Sequence, residues 1–171
     1  PVVEEPLRSA LFNVEQMERH GRALARQHLL QPRPGPVHLL DRLQENGRLL
    51  GDASDLLTRM VQDDMRITPA GEWLLDNFYL IQEQIHTARR HLPKAYSQQL
   101  PTLAQGPSAG LPRVYDLSLQ AIAHGDGRID AETISRFVAA YQEVTPLQLG
   151  ELWAVPIMVR LALIDNLRGM G

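Results

Sequence analysis

Glu72, Asp76, Tyr79 and Glu83 recur at steps of four, three and four, a spacing that lines one side of a helix with three carboxylates and a phenol. Paired carboxylates are what glycosidic bond cleavage needs, one as acid and the other as base or nucleophile. The same ladder serves more commonly as a solvated face or as a docking surface for arginines, with Asn77 adding an amide to it. Trp73 and Trp153 follow the Thr-Pro pairs at 68–69 and 145–146 by a turn or two. Their flat rings, with Tyr79 and Tyr115, would stack on sugars; the expectation adopted for both tryptophans is core packing. Arg160 stands almost alone in the apolar run from Leu152 to Ile164. If buried, it requires a carboxylate such as Glu72, Asp76 or Glu151; otherwise it must emerge at the surface. A carboxylate partner is expected.

Other chemistries are poorly served. The chain has no cysteine, which removes disulfides, thiol catalysis and cysteine-based zinc sites. Its six histidines never fall at the i, i+4 spacing that puts two imidazoles on one helical face. The segment HGDGRID resembles the middle of a calcium loop, but with Gly127 at the sixth position the first and twelfth are Ile122 and Thr133, so both decisive carboxylates are missing. Gly-rich phosphate loops and the GxSxG elbow are absent, and no metal or cofactor is expected. A formal charge of −3 argues against a nucleic-acid partner. All 17 basic residues except Lys94 are arginine.

Positioning these residues falls to helices, because apolar residues nowhere alternate with period two. The fold class read from the pattern is all-α: one multi-helix domain with long central and C-terminal helices joined by Pro-rich connectors. Residues 1–36 read as a helical arm with a stiff connector, QPRPGP, and residues 37–171 as the helical core. A capping box of Asn13 with Gln16 opens the first helix, which runs to about His28 with Val14, Met17, Gly21 and Leu24 inward. The second runs from about Val37 to Asp64 over Leu40, Leu43, Leu50, Leu57 and Met60. Thr68 caps the third, Pro69 occupies its first position, and Pro93 stops it after Leu92; its inward stripe is Leu74, Phe78, Ile81, Ile85, Ala88 and Leu92. A loop over 93–112 contains a helical turn near Tyr96 to Leu100. A fourth helix covers about Val114 to Ala123, and a fifth runs from Ala131 to about Glu143, capped by Asp130. The last is expected to open at Thr145-Pro146 and run to about Leu167 with a kink at Pro156. The longest apolar run has 13 residues, short of the roughly 20 that span a bilayer. No charged, apolar leader follows Pro1, and the chain reads as a piece of something longer.

The wording EWLLDNFYLIQEQI at 72–85, RRHLPKAYSQQLPTLAQGP after it, LPRVYDLSLQAIAH, RFVAAYQEV and TPLQLGELWAVPIMVRLALIDNLR resembles the N-terminal region of the cyclic β-1,2-glucan synthases. That resemblance covers nearly the whole chain from Ser9. It implies a large bacterial inner-membrane parent that uses UDP-glucose, and a helical accessory module on the cytoplasmic side, ahead of the transferase and a phosphorylase-like C-terminal module. The partners implied are the rest of that synthase and β-1,2-glucan itself. Neither a DxD pair nor a QxxRW motif occurs in the chain, so no catalytic residue of the family can be placed on it. The expected contacts are therefore Glu72, Trp73, Asp76, Asn77, Tyr79, Glu83, Tyr115, Glu151, Trp153 and Arg160. They would dock on the parent or touch glucan.

Overall fold

The computed structural model describes residues 13–32, 39–91, 100–125 and 130–168. Six helices follow one another in it: α1 Val14–Gln27, α2 Leu39–Gln62, α3 Pro69–His91, α4 Arg113–His124, α5 Ala131–Val144 and α6 Leu149–Arg168. Among the described residues there is no strand, as an all-α chain requires.

The helix starts follow from their caps. The Asn13 side chain accepts from the Gln16 amide at 2.8 Å while Gln16 Oε1 accepts from the Asn13 amide at 2.9 Å, a complete capping box. Thr68 Oγ1 accepts from the Gly71 amide at 3.1 Å, and Asp130 Oδ1 from the Glu132 amide at 2.9 Å. Thr145-Pro146 departs from expectation. Thr145 still belongs to the end of α5, its amide donating to Tyr141 O at 3.0 Å, and α6 begins only at Leu149. There Glu151 Oε1 accepts from the Gln148 amide at 2.9 Å, so the third residue of the helix supplies the cap.

α2 and α3 form an antiparallel hairpin. Gly47 lies against Ile85, Gly51 against Phe78 and Gly71 against Leu57, so three glycines let the two backbones approach. α6 runs antiparallel to α3: Leu167 shares a cleft with Trp73, while Ile157 and Arg160 share a small hollow with Gln84 and Ala88. The inward stripe of α3 is as its spacing predicts, with Ile81, Ile85 and Ala88 buried and Leu74 and Phe78 packed on them. Two apolar clusters result, and α4 lies between them. Val114, Tyr115 and Ile122 face the larger cluster with α2, α3 and α6, whereas Leu117 and Ala121 face the smaller one with α1 and α5.

The segment before α4 is pinned by backbone. Ala104 N donates to Leu29 O at 2.7 Å and Gln31 N to Thr102 O at 2.8 Å, tying the end of α1 to the loop. The loop then turns on Gly106 and Gly110, both at positive φ (86° and 84°), where a side chain would be strained. The QPRPGP connector from residue 33, the helical turn near Tyr96, the Leu92 and Leu40 side chains and the centre of HGDGRID lie outside the described residues.

Candidate functional site

The interior between α1, α4, α5 and α6 holds most of the charge that the fold buries. Arg113 Nε and Nη2 donate to Glu151 Oε2 and Oε1 at 2.8 and 2.7 Å, a two-pronged pair whose side chains are 5% and 0% exposed. Arg113 also donates to Pro146 O at 3.2 Å and reaches the Tyr141 hydroxyl. Burial works against the guanidinium charge, and the hydrogen bonds and charge of Glu151 outweigh it, so Arg113 is held protonated more firmly than a free arginine.

Next to it lies a second group. His28 Nε2–H donates to Asp116 Oδ2 at 2.7 Å, and Ser108 Oγ donates to Asp116 Oδ1 at 2.7 Å. Nδ1 of the same ring lies 2.8 Å from the Tyr141 hydroxyl, which donates to it when the ring proton sits on Nε2. Burial raises the Asp116 carboxyl, but the bonds from His28 and Ser108 more than reverse this, leaving it below the usual carboxylate range. Burial pushes the Tyr141 phenol up to about 12.

Serine, histidine and aspartate together suggest a nucleophilic triad, yet the order here is wrong. Ser108 bonds the carboxylate and not the imidazole, and both ring nitrogens of His28 are occupied, so no base is left to take the Ser108 proton. Every buried side-chain polar atom among the described residues has a partner. The network is suited to holding α1, the loop, α4, α5 and α6 in register. A third joint does the same between α2 and α6, where Arg42 and Asn46 both donate to Asp165, each at 2.9 Å.

The residues singled out from sequence divide between this interior and the surface. Glu151 and Tyr115 are core, Tyr115 being 1% exposed, and neither can meet a partner or glycan. Arg160 is exposed, with no ion pair among the described residues, and the expected carboxylate anchor is absent. Glu151, one of its expected partners, is taken by Arg113, and residue 160 points away from the side that buries Met158, Leu161 and Ala162.

Both tryptophans are also outside, against the expectation of core packing. Trp73 lies next to the buried stripe of α3 and is 48% exposed; Trp153, between the inward Glu151 and Ala154, is 72% exposed. They do not share a groove. Trp73 and Leu167 line one cleft, and Trp153 is 14 residues from Leu167 on the same helix, about 21 Å at 1.5 Å per residue.

Glu72, Asp76, Tyr79 and Glu83 form the exposed ladder that their spacing predicts, and Asn77 bonds back to Trp73 O at 2.8 Å. Glu72 and Asp76 border a hollow whose other lining residues are Val61, Met65, Arg66, Ile67 and Leu75, with no carboxylate among them. The facing pair that glycosidic chemistry needs is therefore not built there. On the other side of the same turns lies the cleft of about 580 Å³ beneath Trp73, walled by Leu56, Leu57, Leu74 and Leu167 and floored by Ala53, Ala70 and Gly71. No helix among the described residues is long and apolar enough to cross a membrane.

No known protein-family profile matches the chain. It is 34% identical over 166 residues, 96% of its length, to the cyclic beta-(1,2)-glucan synthase NdvB of Rhizobium meliloti (strain 1021). The chain is similar to one segment of that synthase. It spans 6% of the relative's length. The resemblance read from the wording of the chain is thus upheld over 96% of its length.

Proposed function

We propose that the chain is a non-catalytic helical module of a cyclic β-1,2-glucan synthase, on the cytoplasmic side of the inner membrane, that docks on the remainder of the enzyme. The observation that carries this reading is the disproportion between 96% of this chain and 6% of its relative, a far larger synthase. The chemistry supports it. The ionisable groups of the interior are committed to one another, and the exposed carboxylates lack a facing partner. The test has two arms. The isolated chain, given labelled UDP-glucose and a divalent cation, should form no product, while removing the segment from a full-length synthase should reduce glucan output. Product above a blank, or unchanged output after removal, overturns the proposal.

Exposure of Trp73, Tyr79 and Trp153 favours a second reading, a module that contacts the growing glucan. Titration with β-1,2-glucan oligosaccharides, read by tryptophan emission, separates the two. A shift abolished by Trp153→Ala would favour glucan contact.

A further inference from the structure

The half of the α2–α3 hairpin from Asp52 to Glu83 carries both an apolar cleft and a strongly acidic surface, and the two together define what can occupy it. Between Asp52 and Glu83 there are seven acidic side chains against Arg59 and Arg66, a local balance of −5 in a chain whose total is −3. All nine are exposed, and of the seven acids only Asp52 pairs with a cation among the described residues, Arg48 at 3.4 Å. Unpaired like charges on one surface repel one another, and a cationic partner would relieve that repulsion. On the same half of the hairpin Leu56, Val61, Met65 and Trp73 expose large apolar area, each about half exposed. The cleft beneath Trp73 has small residues on its floor and leucines on its walls, which admits bulky aliphatic side chains to close approach.

This excludes several occupants. An anionic lipid surface or a nucleic acid would be repelled by the acidic side chains of this half of the hairpin. A glucan needs several hydrogen-bonding groups, and apart from the Thr68 hydroxyl and the Trp73 indole the cleft is lined by aliphatic residues and glycine. We infer that this cleft receives an amphipathic helix with an apolar stripe and flanking Lys or Arg, contributed by the remainder of the synthase. The inference rests on the accessory-module reading and adds to it the face used and the chemistry of the partner. The apolar stripe enters between Leu56 and Trp73, and cations on the flank of that helix reach past Trp73 to Glu72 and Asp76, which line the neighbouring hollow, in the helix-in-groove mode.

The experiment uses the 171-residue chain carrying Trp153→Phe, so that Trp73 is the sole indole, and overlapping 20-residue peptides tiled across the rest of the synthase sequence. A peptide with apolar residues at i, i+3, i+4 and i+7 and flanking cations should shift Trp73 emission to the blue. Its affinity should fall about tenfold or more with Leu56→Asp, the loss expected of one apolar anchor. It should fall again with Glu72→Gln and Asp76→Asn combined, or on adding salt. Circular dichroism confirms that each variant is folded; Leu56 is half exposed, and its replacement leaves the core untouched. Binding only by neutral or acidic peptides, by none, or equally to Leu56→Asp overturns the inference. Thiol-directed cross-linking from Leu56→Cys in the full-length synthase distinguishes the levels of failure. Cross-links from a parallel Trp153→Cys variant and none from Leu56→Cys would refute this cleft and leave the accessory reading standing, whereas unchanged glucan output after deletion refutes both.

Discussion

Arg113 and Glu151 face each other through two parallel hydrogen bonds of 2.8 and 2.7 Å, and the carboxylate is wholly buried. The pair joins the first residue of α4 to the first turn of α6, and Glu151 also caps α6 through the Gln148 amide. Removing one member strands the other without water. Glu151→Ala should cost about 3–5 kcal/mol, whereas replacing the pair together by apolar residues of similar volume should cost less, since desolvation offsets much of the attraction. Urea melts of the two single variants and the double variant check this.

Arg160 should behave oppositely. It is exposed on α6 with no ion pair among the described residues, so Arg160→Ala should change stability by less than about 1 kcal/mol. A loss of several kcal/mol in the same melts would mean that it anchors the fold after all.

Asp116 and Tyr141 set opposite pH limits. The folded Asp116 carboxyl is held below 3.8, so the unfolded chain binds the proton more readily, and the stability it confers is present above that value and lost as pH falls through the folded pKa. Asp116→Asn should flatten the decline of the melting temperature on acidification below about pH 4. Tyr141 runs the other way. With its phenol pushed from 10.0 to about 12, the folded state keeps a proton that the unfolded chain releases, so stability is full below pH 10 and lost as pH approaches 12. In an absorbance titration, one of the four tyrosines should ionise near 12, and Tyr141→Phe should remove that step.

Local rules made the helices legible and left their charged joints hidden. Asn13 with Gln16, Thr68 with Pro69, and Asp130 announce helix starts because a cap acts within three residues, and the α3 stripe is periodic because one face is buried. Arg113 and Glu151 are 38 residues apart, and His28 and Asp116 are 88 apart. No spacing rule connects such pairs, and a charged residue after a Pro-rich loop reads as exposed. The pattern places α4 at about Val114 to Ala123 and it is observed at Arg113–His124, but its wholly buried start, residues 113–118, gives no sign that Arg113 and Asp116 face inward. The tryptophans misled for a related reason, since bulk predicts burial only when the neighbouring stripe is not already filled. The exposed ladder at Glu72, Asp76, Tyr79 and Glu83 was legible from spacing alone; the apolar cleft beside it depends on Leu167, which comes from another helix.

Glycines in two helices should respond to alanine with opposite signs. A Cβ on Gly21 would lie 2.9 Å from Phe137 O and 3.2 Å from its ring, where α1 crosses α5 and Phe137 is wholly buried. Backbone cannot give way as a flexible side chain does, so Gly21→Ala should cost about 1–3 kcal/mol through displacement of α1. Gly51, in the middle of α2, offers the comparison. A Cβ there meets only Phe78 Cζ at 3.6 Å, an ordinary contact, and the substitution removes the helix penalty of glycine, so Gly51→Ala should stabilise by about 0.5–1 kcal/mol. Thermal melts of both variants decide the matter. If Gly21→Ala matches Gly51→Ala in sign, α1 is free to shift along α5, and the His28 bridge to Asp116 and Tyr141 cannot be the fixed joint described above.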